Sequence, residues 1–249
     1  IINSDEISIL GSNREFMDYS NIPGQISFSP KHVSTLPNLG EVDIFRSIQY
    51  LPGVQLALGS TSNLYIRGGS PDQNLITLDG MTLYQTSHMF GFLSSISKEA
   101  IKDVQIFRGH IPANFGGRTS SVIELISRSG NNYKYGGSLY GNLMSSGISA
   151  EIPILKKGSA IVNYRRSRPS NQFSKVYESI EKYMTVNNKF NLIIETGEQN
   201  INQNTKYDLF SSYEDFFNRF SYLINSKHRA TFTLISSSDS IFEDRSYYG

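Results

Sequence analysis

The sequence predicts an α+β domain of about 130 residues followed by a purely antiparallel β region. Three observations predict it. Short apolar runs and one stretch of helical spacing alternate up to about residue 127. The helical period then disappears beyond "SRSGNNYKYGG" at 127–137, where period-two alternation takes over. The composition is 38% hydrophobic and only 18% charged, with 15 Tyr, 15 Phe and 20 Gly, the balance of a turn-rich β protein.

The same composition excludes several classes. Disorder needs few aromatics and a strong charge imbalance, and the net charge here is +1. That charge gives no electrostatic footing for nucleic acid. The 249 residues contain no cysteine, so neither a disulfide framework nor a thiolate metal site is available. No apolar run approaches the roughly 18 residues of a membrane helix, which leaves membrane strands open because they are short and alternate. The chain opens on "IINSDE" without an initiator Met or signal peptide and reads as a mature or trimmed piece.

Within the first region, "EISIL" at 6–10 and "QISFS" at 25–29 read as strands. "EVDIFRSIQYLPG" places Val42, Ile44, Phe45, Ile48 and Leu51 at helical spacing, and Pro52-Gly53 stops the helix. "NLYIRGG" is a strand ending in glycines, and "NLITLDGMTLY" is a hairpin turned by Asp79-Gly80. Ser97 can cap one or two helical turns leading into a strand over 104–108, and "SSVIELISRSG" closes the region as a further strand. The Arg-Gly-Gly at 67–69 suggests a phosphate cradle, but no helix follows it.

In the second region "YGGSLYGNL" and "GISAEIPI" alternate, with Ile148, Ala150 and Ile152 on one face and Ser149 and Glu151 on the other. A turn at 156–158 leads to "SAIVNYRRS", where Tyr164 and Arg165 fall on opposite faces. A long polar stretch over 168–206 precedes "DFFNRFSYLI", the turn "NSKH" and "RATFTLISS". Strands of about ten residues with one apolar face fit an outer-membrane barrel, and they fit an ordinary antiparallel sheet as well.

Residues 36–132, taken together, break that tie. "LPGV" after a helix, the "IRGG" strand end, "LDGM", the helix leading to "IFRG", and the "FGGR" turn before a strand occur in this order. The segment closely resembles the plug domain of TonB-dependent outer-membrane receptors, in the form common among Bacteroidetes. "AEIPILKKGSAIVNYRRS" is similar to the family's first barrel hairpin, whereas "SRPSNQF" departs where an aromatic would follow Arg-Ser. The resemblance implies an α+β plug domain over 1–130, a mixed sheet with short helices. Residues 131–249 are then the antiparallel strands of an incomplete transmembrane β-barrel.

The expected topology is consistent with that family: four or five strands, short periplasmic turns at "LKKG" and "NSKH", and a long external loop near 168–206. A plugged transporter barrel has about 22 strands, far more than residues 131–249 can supply. The remaining strands therefore belong to a longer chain, or to another one. Unpaired strand edges in lipid cost several kcal/mol for each unsatisfied group, which favours the longer chain.

The resemblance also implies function: a receptor in the cell outer membrane, plug towards the periplasm, importing a scarce ligand with energy delivered by TonB. The alternative is a plugged barrel kept as a structural subunit of a larger outer-membrane assembly. Partners are TonB (through a segment not recognisable here), outer-membrane lipid, and an extracellular small ligand or oligomer, with a surface lipoprotein left open. No nucleic acid and no cofactor is expected.

No catalytic or metal constellation is present in the sequence, so no enzyme activity is expected. By resemblance, Arg67 and Arg118 latch the plug to carboxylates on the barrel wall, a role suited to the guanidinium fork. Tyr84, Gln85, His88 and Phe90, in the loop "LYQTSHMFGF", are the ligand-contact candidates. His88 and Phe90 serve equally well as packing groups between plug and barrel. Asp72 and Asp79 read as turn residues.

Overall fold

A computed structural model describes residues 18–19, 24–30, 42–56, 63–88, 91, 93–142, 144–167 and 205–247. The strand expected at 6–10, Phe90, and most of the long loop expected near 168–206 lie outside the described residues.

The first unit is built on a six-stranded mixed sheet. Its strands are β1 (Asp18–Tyr19), β2 (Gln25–Phe28), β5 (Asn74–Leu78), β6 (Met81–Thr82), β9 (Ile101–Arg108) and β10 (Ser121–Ser127), in the order β1-β2-β9-β10-β5-β6. β10 runs parallel to β5, with Val122 opposite Leu75, and all other neighbours are antiparallel. As the inner strand of a parallel pair, β10 is buried along most of its length, as "SVIELIS" requires. Two small antiparallel pairs flank the sheet: β3 (Val54–Leu56) with β4 (Leu64–Ile66), and β7 (Ser87–His88) with β8 (Leu93–Ser94).

The helix expected at 42–51 is a single short one, α1 (Ile44–Ile48), with Ile44, Phe45 and Ile48 fully buried. Asp43 caps it by accepting from the Arg46 N–H at 3.0 Å. The helix stops before Pro52, and Gly53 turns the chain with φ +76°. Ser97 caps only a 3₁₀ turn, Lys98–Ala100, which runs straight into β9. Asp79 and Gly80 are both left-handed, φ +49° and +82°, as a two-residue hairpin between β5 and β6 demands.

The second unit is a five-stranded antiparallel meander of β11 (Gly136–Gly141), β12 (Ser145–Ile154), β13 (Gly158–Ser167), β14 (Thr205–Leu223) and β15 (Arg229–Tyr247). The period-two pattern sorts its faces. Opposed residues Ile148, Tyr164 and Phe216 share one face, as do Ile152, Ala160, Phe220 and Phe232. On this face Leu139, Ile148, Ile152, Phe232 and Leu234 are exposed. The other face carries Ser149, Ile161, Asn163, Arg165, Ser167, Tyr213, Asp215 and Phe217, all buried. An apolar outward face over a polar inward one is the inverse of a water-soluble sheet and the pattern of a membrane barrel.

The inward face lies on the first unit, and Ile161 and Phe217 join the core of Ile44, Ile48, Ile106 and Ile123. β14 and β15 are longer than the ten residues expected, at 19 each. Such a strand spans about 60 Å at its usual rise, well beyond an apolar band of about 25 Å. β13 pairs with β14 only as far as Arg166 opposite Glu214, so residues 205–213 continue as a two-stranded ribbon with β15. No helix among the described residues is long and apolar enough to cross a membrane, which says nothing about strands.

Candidate functional site

The inward face of the meander meets the first unit through several polar contacts, three of which involve charged groups. One centres on His88, delivered by the β7–β8 pair, whose four residues are all buried. His88 is 1% exposed. Its Nδ1 lies 2.7 Å from Asp239 Oδ1 and its Nε2 lies 2.8 Å from Asp215 Oδ1. The ring stacks on Tyr213, centroids 4.2 Å apart. Burial pulls the imidazole pKa down, but the hydrogen bonds and negative charge of Asp215 and Asp239 outweigh it and hold the pKa above its ordinary value.

Asp215 serves several donors at once. Arg165 donates Nε at 2.9 Å and also Nη2 to its Oδ2, while Ser237 donates to Oδ1 at 2.6 Å. The same Arg165 Nη2 reaches across to the Ser94 carbonyl at 2.7 Å. Arg165 is 3% exposed, so this pairing is made in a dry interface.

Asp79 does more than turn a hairpin. Its carboxylate accepts from the Ser127 N–H at 3.0 Å, from the Ser127 hydroxyl, and from Arg219 Nη1 of β14. A further contact joins the end of the first unit to β12: Arg128 donates to Glu151 at 2.7 Å, and Glu151 also accepts from the Asn131 N–H at 3.1 Å. These side chains are partly exposed, so the pair is a weaker tie than the buried ones. Burial raises the pKa of Glu124 on β10, with the Asp79 charge adding to it.

A cavity of about 550 Å³ opens on the first unit between the 3₁₀ turn Pro71–Gln73 and the segment after β6. Asn63, Asp72, Tyr84, Gln85, Thr86 and Arg118 are among its lining residues. The Asp72 carboxyl is held below its ordinary pKa by the Ser70 hydroxyl and by its own backbone N–H, with Arg118 adding a smaller pull.

The structure thus brings Arg118 together with Tyr84 and Gln85. Tyr84 is 87% exposed, and Gln85 donates to the Ser87 carbonyl at 2.8 Å. Arg67 lies apart, left-handed at φ +52°, exposed, and donating to the Arg108 carbonyl at 3.3 Å. Among the described residues neither Arg67 nor Arg118 forms an ion pair with a carboxylate of the meander, and no group of residues is arranged to hold a metal ion.

Sequence reasoning passed over Asp215, Asp239, Arg219 and Glu151. One signal marked all four: in the alternation of their strands they fall on the same face as Arg165, opposite the apolar residues. Charge on the side of a barrel strand that faces away from lipid has to meet water or a partner.

A domain with a mixed sheet, clasped by the polar inward face of a meander whose outward face is apolar, defines a plugged β-barrel. Comparison with known proteins agrees. Residues 29–122 match the family model described as the TonB-dependent receptor plug domain. Among solved structures, the siderophore receptor PirA from Acinetobacter baumannii superposes with a TM-score of 0.57 at 17% identity, over 88% of this chain and 32% of that one. A mutant of the ferric enterobactin receptor PfeA from Pseudomonas aeruginosa gives 0.54 at 16%, over 91% and 34%. The outer membrane transporter YddB from Escherichia coli gives 0.55 at 12%, over 88% and 33%. No curated protein matched the sequence. Residues 29–122 thus match the plug domain of the TonB-dependent receptors, and the antiparallel strands of an incomplete barrel follow. It spans about a third of the length of the solved structures it matches.

Proposed function

We propose that the protein is an outer-membrane receptor that imports a scarce ligand by TonB-dependent active transport, its plug gating the lumen of a barrel that residues 131–249 begin. The observation that carries this reading is the two-faced meander. Its apolar outward face suits lipid, while its inward face holds the plug by charged groups, among them Arg165, Asp215 and Arg219. A plug tied by a few polar contacts and a small shared core can be displaced without dismantling the barrel.

In this reading the turns at 155–157 and 224–228 face the periplasm and the ribbon of β14 and β15 stands outside. The 550 Å³ cavity offers ligand contacts through Tyr84 and Gln85, with Phe90 nearby in sequence. Arg67, and Arg118 at the cavity rim, are available to carboxylates of the remaining barrel wall. PirA is named a siderophore receptor, and siderophores are one ligand class this site can serve, with the ligand otherwise open.

The test is genetic and chemical. Deleting the gene and deleting TonB should give the same growth defect, and a native pull-down from outer membranes should recover a bound small molecule by mass spectrometry. A gene-deletion defect that TonB deletion does not reproduce contradicts active transport.

A further inference from the structure

We propose that His88 is a doubly protonated pin between plug and barrel, and that loss of one proton releases strand β7 of the plug from the β14–β15 hairpin. The inference concerns the mechanics of the interface and holds whichever ligand the barrel carries.

The geometry leads to it directly. Both ring nitrogens of His88 lie within 2.8 Å of carboxylate oxygens, Asp239 Oδ1 and Asp215 Oδ1. An ionised carboxylate only accepts, so both nitrogens have to donate, and only the imidazolium has two N–H groups. Asp239 keeps a third of its side chain in solvent. Charge counting agrees. The groups facing His88 are Asp215 and Tyr213 from β14, Asp239 from β15, and Arg165 from β13 close behind Asp215. With His88 charged, two cations meet two anions. With His88 neutral, a buried cluster carries an unbalanced negative charge and one contact sets lone pair against lone pair.

The consequence is directional. The folded pKa of His88 is raised, so its contribution is complete below the unfolded value of about 6.5 and is lost as pH rises through the folded value. His88 is continuous with Gln85, Thr86 and Ser87, which line the 550 Å³ cavity. Releasing the pin therefore loosens that wall of the cavity. Ser94, on the paired strand β8, keeps its own tie to the barrel through Arg165 and its bond to Asp43.

The test uses the full-length protein in outer-membrane vesicles, with amide hydrogen exchange of Gln85–His88 corrected for intrinsic rates and read from about pH 6 to about pH 10. In the wild type, exchange should rise about tenfold or more across this range, the loss of one charge-assisted hydrogen bond. Asp239→Asn supplies an amide that can donate to a neutral Nδ1 while Nε2–H donates to Asp215, so its profile should be flat. His88→Gln should exchange fast at every pH, with retained SDS resistance showing that the barrel is folded. A flat wild-type profile, an Asp239→Asn profile that still rises, or slow exchange in His88→Gln would each overturn the proposal.

Discussion

Replacing Arg165 by Met tests how strongly the barrel holds the plug. The guanidinium is 3% exposed and makes two bonds to Asp215 and one to the Ser94 carbonyl. Its removal leaves Asp215 buried with His88 as its nearest cation, and strands a carbonyl on the plug side. Breaking one partner of a buried pair costs about 3–5 kcal/mol. Part of that cost is the orphaned acceptors rather than the attraction itself. The assay is urea-dependent exposure of the plug to protease in the full-length protein, read as a shift in midpoint at constant slope. The double variant Arg165→Met/Asp215→Asn removes the uncompensated charge and should cost less than the sum of the single changes by at least about 1 kcal/mol. A single-variant loss below about 1 kcal/mol, the range of exposed pairs, would refute the reasoning.

Three further outcomes follow from the same structure. Asp79→Ala takes the carboxylate from Arg219 and the acceptor from Ser127, and should destabilise the plug by about 2–4 kcal/mol in the same assay. Leu234→Arg places a cation on the outward face and should cost about 2–4 kcal/mol of insertion into lipid vesicles, whereas Thr233→Arg on the opposite face should insert like wild type. Leu155 and Lys156 are both left-handed, φ +50° and +57°. Lys156→Gly should therefore raise stability to urea by about 1 kcal/mol.

Much of the fold was legible because it is written in local pattern. Asp79-Gly80 announced its hairpin, Ser97 its cap, and the alternation from Ile148 to Arg165 sorted two faces before any contact was known. What period and turn chemistry cannot express is pairing at a distance. β10 joins β5 in parallel across 47 residues, and no local signal marks a parallel partner. His88 meets Asp215 and Asp239 at separations of 127 and 151 residues, so it read equally well as a ligand contact or as packing. Strand length also escaped: the polar run Ser236–Ser240 on β15 hides strand character that only the ladder with β14 reveals. Arg165 lay between these cases. Its inward direction was readable from alternation, and its partner Asp215 was not.

The central claim is that the meander spans the outer membrane with the plug on its inner side. These 249 residues contain no cysteine, so a cysteine placed among them is the only one they carry. Single cysteines placed at Lys156, in the turn after β12, and at Asn188, in the segment between β13 and β14, would be exposed to a membrane-impermeant thiol reagent on intact cells. Labelling at 188 with protection at 156 until the outer membrane is permeabilised is the expected result. Labelling at 156 on intact cells, or protection at 188, would contradict the account.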